Sequence, residues 1–292
     1  MKNRRLYGSL LVIVSAILFG TMPLFTKTAY AHHANALTVA FGRFLFGSLF
    51  LGILCKGSKK ELKISLKALL ELFKISMFFS IVPVLLYMSY SYVDSGLATT
   101  LHFSYPVAVA ILSKLLYKSK FSNNQILCIA LCSLGILFLY KPGGEINLFG
   151  MFIALLSGII YAGYILLFEK RKYNQIPALV VTFWLSLMAS LEIGMVAFCT
   201  KQMVIHLDIS ALFMIVCLSI ITMVFATPFF QMGVKDCGGL MASLLSTFEP
   251  VTSLIVGILF FQEVFTFRDG IGILFILIST ILLVTRKVIS KK

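Results

Sequence analysis

The feature that most constrains this chain is a repeat of itself. Residues 94–140 can be laid over residues 236–284. Around Pro106 and Pro250 the match runs without gaps at an offset of 144, with Ala98 over Ala242, Thr99 over Ser243 and Ser122 over Thr266. Earlier, Gly8 and Ser15 fall over Gly150 and Ser157 at an offset of 142. Each half carries an odd number of long apolar segments, so the halves are expected to enter a bilayer in opposite directions. Inverted repeats of this kind recur in secondary transporters, which bind their cargo between the halves near the bilayer midplane.

A membrane is required by composition. Of 292 residues, 60% are hydrophobic and 12% charged, with a mean hydropathy of +1.00. A soluble chain of this size cannot hide so much apolar surface. Ten stretches reach the roughly 20 residues that cross about 30 Å of hydrocarbon. They are expected at 7–29, 35–55, 69–92, 95–117, 122–140, 148–168, 176–199, 209–233, 239–261 and 268–286. The fold expected is an all-α integral membrane protein of two inverted five-helix repeats, residues 1–144 and 145–292. Residues 141–147 (KPGGEIN) form the turn between them. The N-terminal run resembles a signal peptide, but it is long, contains Pro23 and Lys27, and aligns with residues 148–170. It is therefore expected to be the first span.

The net charge of +14 does not point to nucleic acid, because the basic residues sit in short connections with no soluble face to present. Eighteen lie at the ends that share a side with the N-terminus and four at the opposite ends. The positive-inside rule then places both termini in the cytoplasm, in a multi-pass protein of the cytoplasmic membrane. Cys128 and Cys132, one helical turn apart, read as small apolar residues rather than metal ligands. No metal or cofactor is expected. The Walker, HExxH and GxSxG motifs are all absent, so nothing points to a nucleotide motor or a hydrolase.

Charges inside apolar runs mark the candidate site. An arginine at the centre of a membrane helix costs about 2.5–3.5 kcal/mol on insertion scales, so Arg43 must be offset by something in the bundle. Glu249 precedes Pro250, whose missing N–H frees the carbonyl of Ser246. A carboxylate, a free carbonyl and a kink would then coincide at a depth that suits a cation or proton. Glu192 is a second deep acid, expected to pair with Arg43 or face a cavity. His102 can carry protons near neutral pH. Thr99, His102, Pro106 and Ser113 share a face of one span, and Ser243, Ser246, Pro250, Ser253 and Gly257 share a face of another. Tyr87, Tyr90, Tyr105, Tyr161 and Tyr164 are inner-facing candidates for cation–π contact. Pro106 and Pro250 are the expected hinges.

With these residues in view, the chain resembles the ten-helix EamA-type family of the drug/metabolite transporter superfamily. The resemblance rests on SAILFG at 15–20, SGIIYA at 157–162, Arg43, FEP at 248–250, and FQE at 261–263 followed by Thr266 and Gly270. It implies a basket of helices around a central cavity, small organic cargo and frequent export. The first-half counterparts of Glu249 and Glu263 are Tyr105 and Ser119, so the implied site is asymmetric. The expected function is alternating-access export of a small metabolite, an amino acid or amphiphilic amine, with Arg43, Glu249, Glu192, His102, Tyr87, Tyr90, Tyr161 and Tyr164 as binding or coupling residues. Uptake of a quaternary ammonium nutrient is an alternative, and a lipid-handling protein or intramembrane enzyme is one of another class. Partners are the cargo and the lipid bilayer, with proton coupling and a monomer or homodimer left open.

Overall fold

In the computed structural model, the structure describes residues 2–117, 123–139, 147–171, 176–237, 242, 245–246 and 248–289. Among these, every regular element is helical. The first half comprises α1 (Lys2–Gly20), α2 (Met22–Ala31), α3 (Ala36–Gly57), α4 (Leu66–Ser89), α5 (Ser95–His102), α6 (Tyr105–Tyr117) and α7 (Asn123–Leu139). The second comprises α8 (Leu148–Arg171), α9 (Ala178–Cys199), α10 (Ile209–Ser219), a π-helical segment (Ile220–Ala226), α11 (Thr227–Cys237), α12 (Phe248–Phe261) and α13 (Phe267–Ile289). Ser122, Ser243 and the side chains of Ser113, Cys128 and Cys132 lie outside the described residues.

Among the described residues, six helical stretches are long and apolar enough to cross a membrane: Leu6–Ala31, Ala36–Gly57, Leu66–Ser89, Leu148–Phe168, Ala178–Cys199 and Ile209–Asp236. Large apolar side chains such as Leu191, Met195, Phe198 and Phe213 point outward, where lipid rather than water suits them. The helix starts follow local chemistry. Asn35 accepts the Thr38 N–H at 2.9 Å and Ser65 accepts the Ala68 N–H at 3.2 Å. Thr266 and Asp269 exchange backbone–side-chain bonds at the start of α13, a capping box with Asp at the third position.

The expected fourth span is broken. Its helix stops at His102 and restarts at Tyr105, which puts Pro106 in the first turn of α6. Pro250 likewise sits in the first turn of α12. A proline there gives up no intrahelical bond, because the early N–H groups have no partner in the helix. The Ser246 carbonyl, expected to be free, instead accepts the Glu249 N–H at 2.9 Å in a tight turn.

Helices pair in a pattern that survives exchange of the halves. α1 packs on α11 as α8 packs on α4, and α12 on α1 as α5 and α6 pack on α8. α3 on α9 and α7 on α13 each join corresponding elements, and α5 of the fourth span packs on α12 of the ninth. Close contacts give the directions. Ser15 Oγ donates to the Ala226 carbonyl while Gly233 abuts Gly8 and Val12, so α1 and α11 run antiparallel. Phe41 lies against Gly194 and Phe183 against Gly52, which makes α3 and α9 antiparallel as well.

Glycines allow the tightest of these approaches. A Cβ on Gly158 of α8 would lie 2.5 Å from the His102 carbonyl oxygen, and one on Gly57 would meet nothing within 4 Å. Gly158→Ala should therefore lower the thermal midpoint in detergent by several degrees, since forced overpacking costs about 1–3 kcal/mol. Gly57→Ala should leave it unchanged. Equal midpoints for the two variants would show that α5 and α8 do not meet this closely.

Candidate functional site

Arg43 lies near the middle of α3 and is 5% exposed. Its Nε donates to Thr222 Oγ1 at 2.9 Å and its Nη1 to Tyr87 Oη at 2.7 Å. The guanidinium carbon stands 5.3 Å from the Phe44 ring and 5.8 Å from the Tyr87 ring. Among the described residues no carboxylate comes within ion-pair distance of it. Both acceptors are held in turn. Thr222 donates to the Leu218 carbonyl at 2.7 Å, Tyr87 donates to Met22 Sδ at 3.5 Å, and Tyr30 Oη donates to the Tyr87 carbonyl at 2.9 Å. The arginine is thus aimed by neutral groups, and its charge is not cancelled by direct pairing.

Thr222 belongs to the π-helical segment, and sequence reasoning missed it. The signal was Pro228. Its ring and missing N–H disfavour regular α-helix over the preceding turn. The Thr227 N–H and hydroxyl both bond the Thr222 carbonyl five residues back, the hydroxyl at 2.8 Å, and one residue bulges out. Ser219, at the edge of the bulge, donates to the Arg43 carbonyl at 2.8 Å. The widened turn therefore grips both the side chain and the backbone of Arg43.

Glu249 stands at the start of α12 and is 8% exposed. Among the described residues its carboxylate takes no hydrogen bond and no ion pair. It lies within electrostatic range of Arg43, Tyr87, Tyr90, Tyr105 and Tyr161. The turn at Ser246, just before α12, delivers this side chain to the bundle interior. The corresponding break between α5 and α6 delivers Tyr105.

Aromatic rings form a wall beside the two charges. Tyr105 meets Tyr161 edge-on at 4.9 Å, and Tyr161 stacks on Tyr164 at 5.5 Å. Phe79 continues the wall to Phe44. His102 packs against Tyr161 at 5.4 Å, and its Nδ1 lies 2.8 Å from Ser157 Oγ. Ser157 spends its own proton on the Ala154 carbonyl, so His102 Nδ1 must carry the hydrogen of that bond. Tyr90 joins the far side through Thr99, at 3.3 Å between oxygens.

The structure thus brings Arg43, Glu249, Tyr87, Tyr90, Tyr161, Tyr164 and His102 into one neighbourhood. It does not bring Glu192 there. That acid, on α9, accepts from Ser76 Oγ of α4; it makes no pair with Arg43. Its second oxygen is buried without a partner. Among the described residues no group of three His, Cys, Asp or Glu side chains is placed to hold a metal ion.

Comparison with known proteins assigns this arrangement. The model of the EamA-like transporter family matches twice, over residues 6–141 and 148–285. The chain belongs to the EamA-like transporter family. An uncharacterized transporter of Synechocystis sp., sll1319, is 35% identical over 112 residues, 37% of this chain and 33% of its own length. The uncharacterized transporter YxxF of Bacillus subtilis is 26% identical over 175 residues, 57% of this chain and 54% of its own. The matched stretches thus span about a third and about half of these relatives. A protein of known crystal structure shares the fold at a TM-score of 0.69, covering 96% of this chain and 98% of its own at 14% identity. Family membership with the apolar helices makes this a multi-pass membrane protein whose setting is the lipid bilayer.

Tyr87→Phe removes one of the two acceptors of Arg43 and leaves a buried N–H unpaired. Hydrogen bonds to charged groups contribute about 1.5–3 kcal/mol. The variant should unfold several degrees below wild type in detergent, and Thr222→Val should fall by a similar amount. Midpoints at the wild-type value would mean that Arg43 is satisfied elsewhere.

Proposed function

We propose that the protein is a secondary active transporter that exports a small organic metabolite, an amino acid or amphiphilic amine, by alternating access. The observation that carries this reading is the pairing at one depth of a buried guanidinium and a buried carboxylate that do not bond each other. Placed beside an aromatic wall, the two offer opposite charges and apolar area to one guest. Arg43 sets the positive pole, and Glu249 receives an ammonium group or a proton. Tyr87 and Thr222 aim the arginine, Tyr90, Tyr105, Tyr161 and Tyr164 form the wall, and His102 orders it. Glu192 acts outside this cluster, on the packing of α4 against α9.

Ten spans in two inverted repeats are supported by the helix pairing, which is unchanged when the halves are exchanged, and by the antiparallel contacts between corresponding elements. The excess of basic residues at one set of ends supports cytoplasmic termini in the cytoplasmic membrane. Pro106 and Pro250 are the hinge points of this reading, each starting a helix just beyond a break. A second reading, uptake of a quaternary ammonium compound, is favoured by the number of tyrosines near Glu249.

Thermal unfolding against a panel of amino acids, amines, quaternary ammonium compounds, sugars and nucleosides tests both. A ligand at about 100 times its dissociation constant adds about 2.7 kcal/mol to the folded state. One class should raise the midpoint of wild type and fail to raise that of Arg43→Ala and Glu249→Gln. A shift confined to quaternary ammonium compounds would select the second reading. A shift that survives both substitutions would place the cargo elsewhere.

A further inference from the structure

The end of the bundle away from the termini holds a half-buried ion pair that the central site does not use. Glu263 follows α12 just after Gln262, whose φ of 53° turns the chain back over the helix end. Its carboxylate meets two elements of the first half, α2 and α5. Oε1 accepts from Lys27 Nζ of α2 at 2.7 Å, from the Ser95 N–H at 2.9 Å and from Ser95 Oγ at 2.6 Å; Oε2 accepts from the Gly96 N–H at 3.2 Å. Lys27 Nζ also stands 4.4 Å from the centre of the Phe261 ring. The side chain of Glu263 is 7% exposed and that of Lys27 23%.

Glu263 does for α5 what the residue before that helix does not. Asp94 occupies the capping position and makes no cap with its side chain. The first two N–H groups of α5 are closed instead by a carboxylate from the other half of the chain, where the helix dipole favours negative charge. Burial pushes the Glu263 carboxyl up, but the bonds from Lys27 and Ser95 outweigh that and hold it below its ordinary value, so it stays ionised.

Beneath this pair the same seam continues. Thr99 and Ser253 hydroxyls lie 2.9 Å apart, and Ser253 donates to the Ser95 carbonyl at 3.4 Å. Glu249 is one helical turn further in on α12. Any path from this end to Glu249 between α5 and α12 passes first Glu263, then Ser253.

We infer that Lys27, Glu263 and the first turn of α5 form a latch that closes this end of the transporter and parts when the site opens toward it. The inference rests on the alternating-access reading. A seam that must open is better closed by polar contacts, which water can replace, than by interlocked apolar side chains. The latch joins α2 and α5 of the first half to the end of α12 in the second, so relative motion of the halves strains it directly. A crevice lined by Asp94, Gly96, Leu97, Leu254, Glu263 and Phe265 reaches the carboxylate from outside and admits that water.

The test uses the full chain with its six cysteines replaced and one new cysteine at Ser253, in membrane vesicles of each orientation. Ser253 is fully buried, so Ser253→Cys should react slowly with an impermeant maleimide. Lys27→Met and Glu263→Gln should each raise the rate at least tenfold from the face that bears the latch, and Lys27→Arg should leave it slow. Unchanged rates in both disrupted variants overturn the latch. If Glu263→Gln does not fold, Lys27→Met carries the test, since its chain keeps the place over Phe261. A second reporter, Ser246→Cys, separates the two ideas. Its labelling from both faces at once in the unaltered background overturns alternating access, and the Ser253 rates alone then decide the latch.

Discussion

A guanidinium held deep among apolar helices cannot be deprotonated and must be satisfied in place. Direct pairing with a carboxylate would be the simplest solution. It would also cancel the charge and leave little for a guest. Here Arg43 is satisfied by a threonine and a tyrosine, both neutral, while the buried acid Glu249 acts on it only at longer range. Much of the surrounding architecture follows from that choice. Tyr87 must be fixed through its hydroxyl and its carbonyl, and Thr222 must face α3 rather than lie in the register a regular helix would give it. The π-helical segment provides that register, and Pro228 accounts for it. Pro83 holds a similar place inside α4 of the first half. Both α3-facing helices thus carry a proline near the level of the site.

The two halves use similar backbones for different chemistry. In each, a helix ends inside the bundle and a new one begins with a proline in its first turn. The residue just before that proline is Tyr105 in one half and Glu249 in the other. Backbone breaks at membrane depth are tolerated only where the protein itself meets the freed groups. The Ser246 carbonyl accepts the Glu249 N–H, and the Ser104 carbonyl accepts the Val107 N–H at 3.0 Å. Because each turn is closed by its own backbone, the side chains at the breaks are released from structural duty. An aromatic ring in one and a carboxylate in the other then make the two breaks chemically unequal within a repeated frame.

Much of this was legible in the sequence, and what escaped has definite causes. A lone charge in an apolar run is conspicuous because its cost is large, so Arg43 and Glu249 announced themselves. The repeat located both helix breaks through Pro106 and Pro250. The depth of the breaks was less visible, and the expected free carbonyl at Ser246 overlooked the tight turn that uses it. Glu192 shows the limit of reasoning from cost alone. A buried acid needs partners, but sequence does not say which, and a serine of α4 serves where pairing with Arg43 or a place on a cavity was expected. Thr222 was invisible because a threonine in an apolar helix has many ordinary uses. Family likeness pointed to Glu263 without a role, since its partners Lys27 and Ser95 lie 236 and 168 residues away along the chain.

The contacts between α5 and α12 show why the breaks and the central charges belong together. Along α5, Gly96 lies against Leu254, and Thr99 meets Ser253. α8 packs on both α5 and α6, and so spans the break, while α12 packs on α5. Tyr105 stands at this break and packs on Tyr161 of α8. Glu249 stands at the corresponding turn in the opposite half. A guest held between Arg43 and Glu249 would bear on α3, α12 and the aromatic wall of α8 together. Its binding energy would then act on the relative placement of the halves, and differential contact of that kind is what a ligand needs to shift a conformational equilibrium.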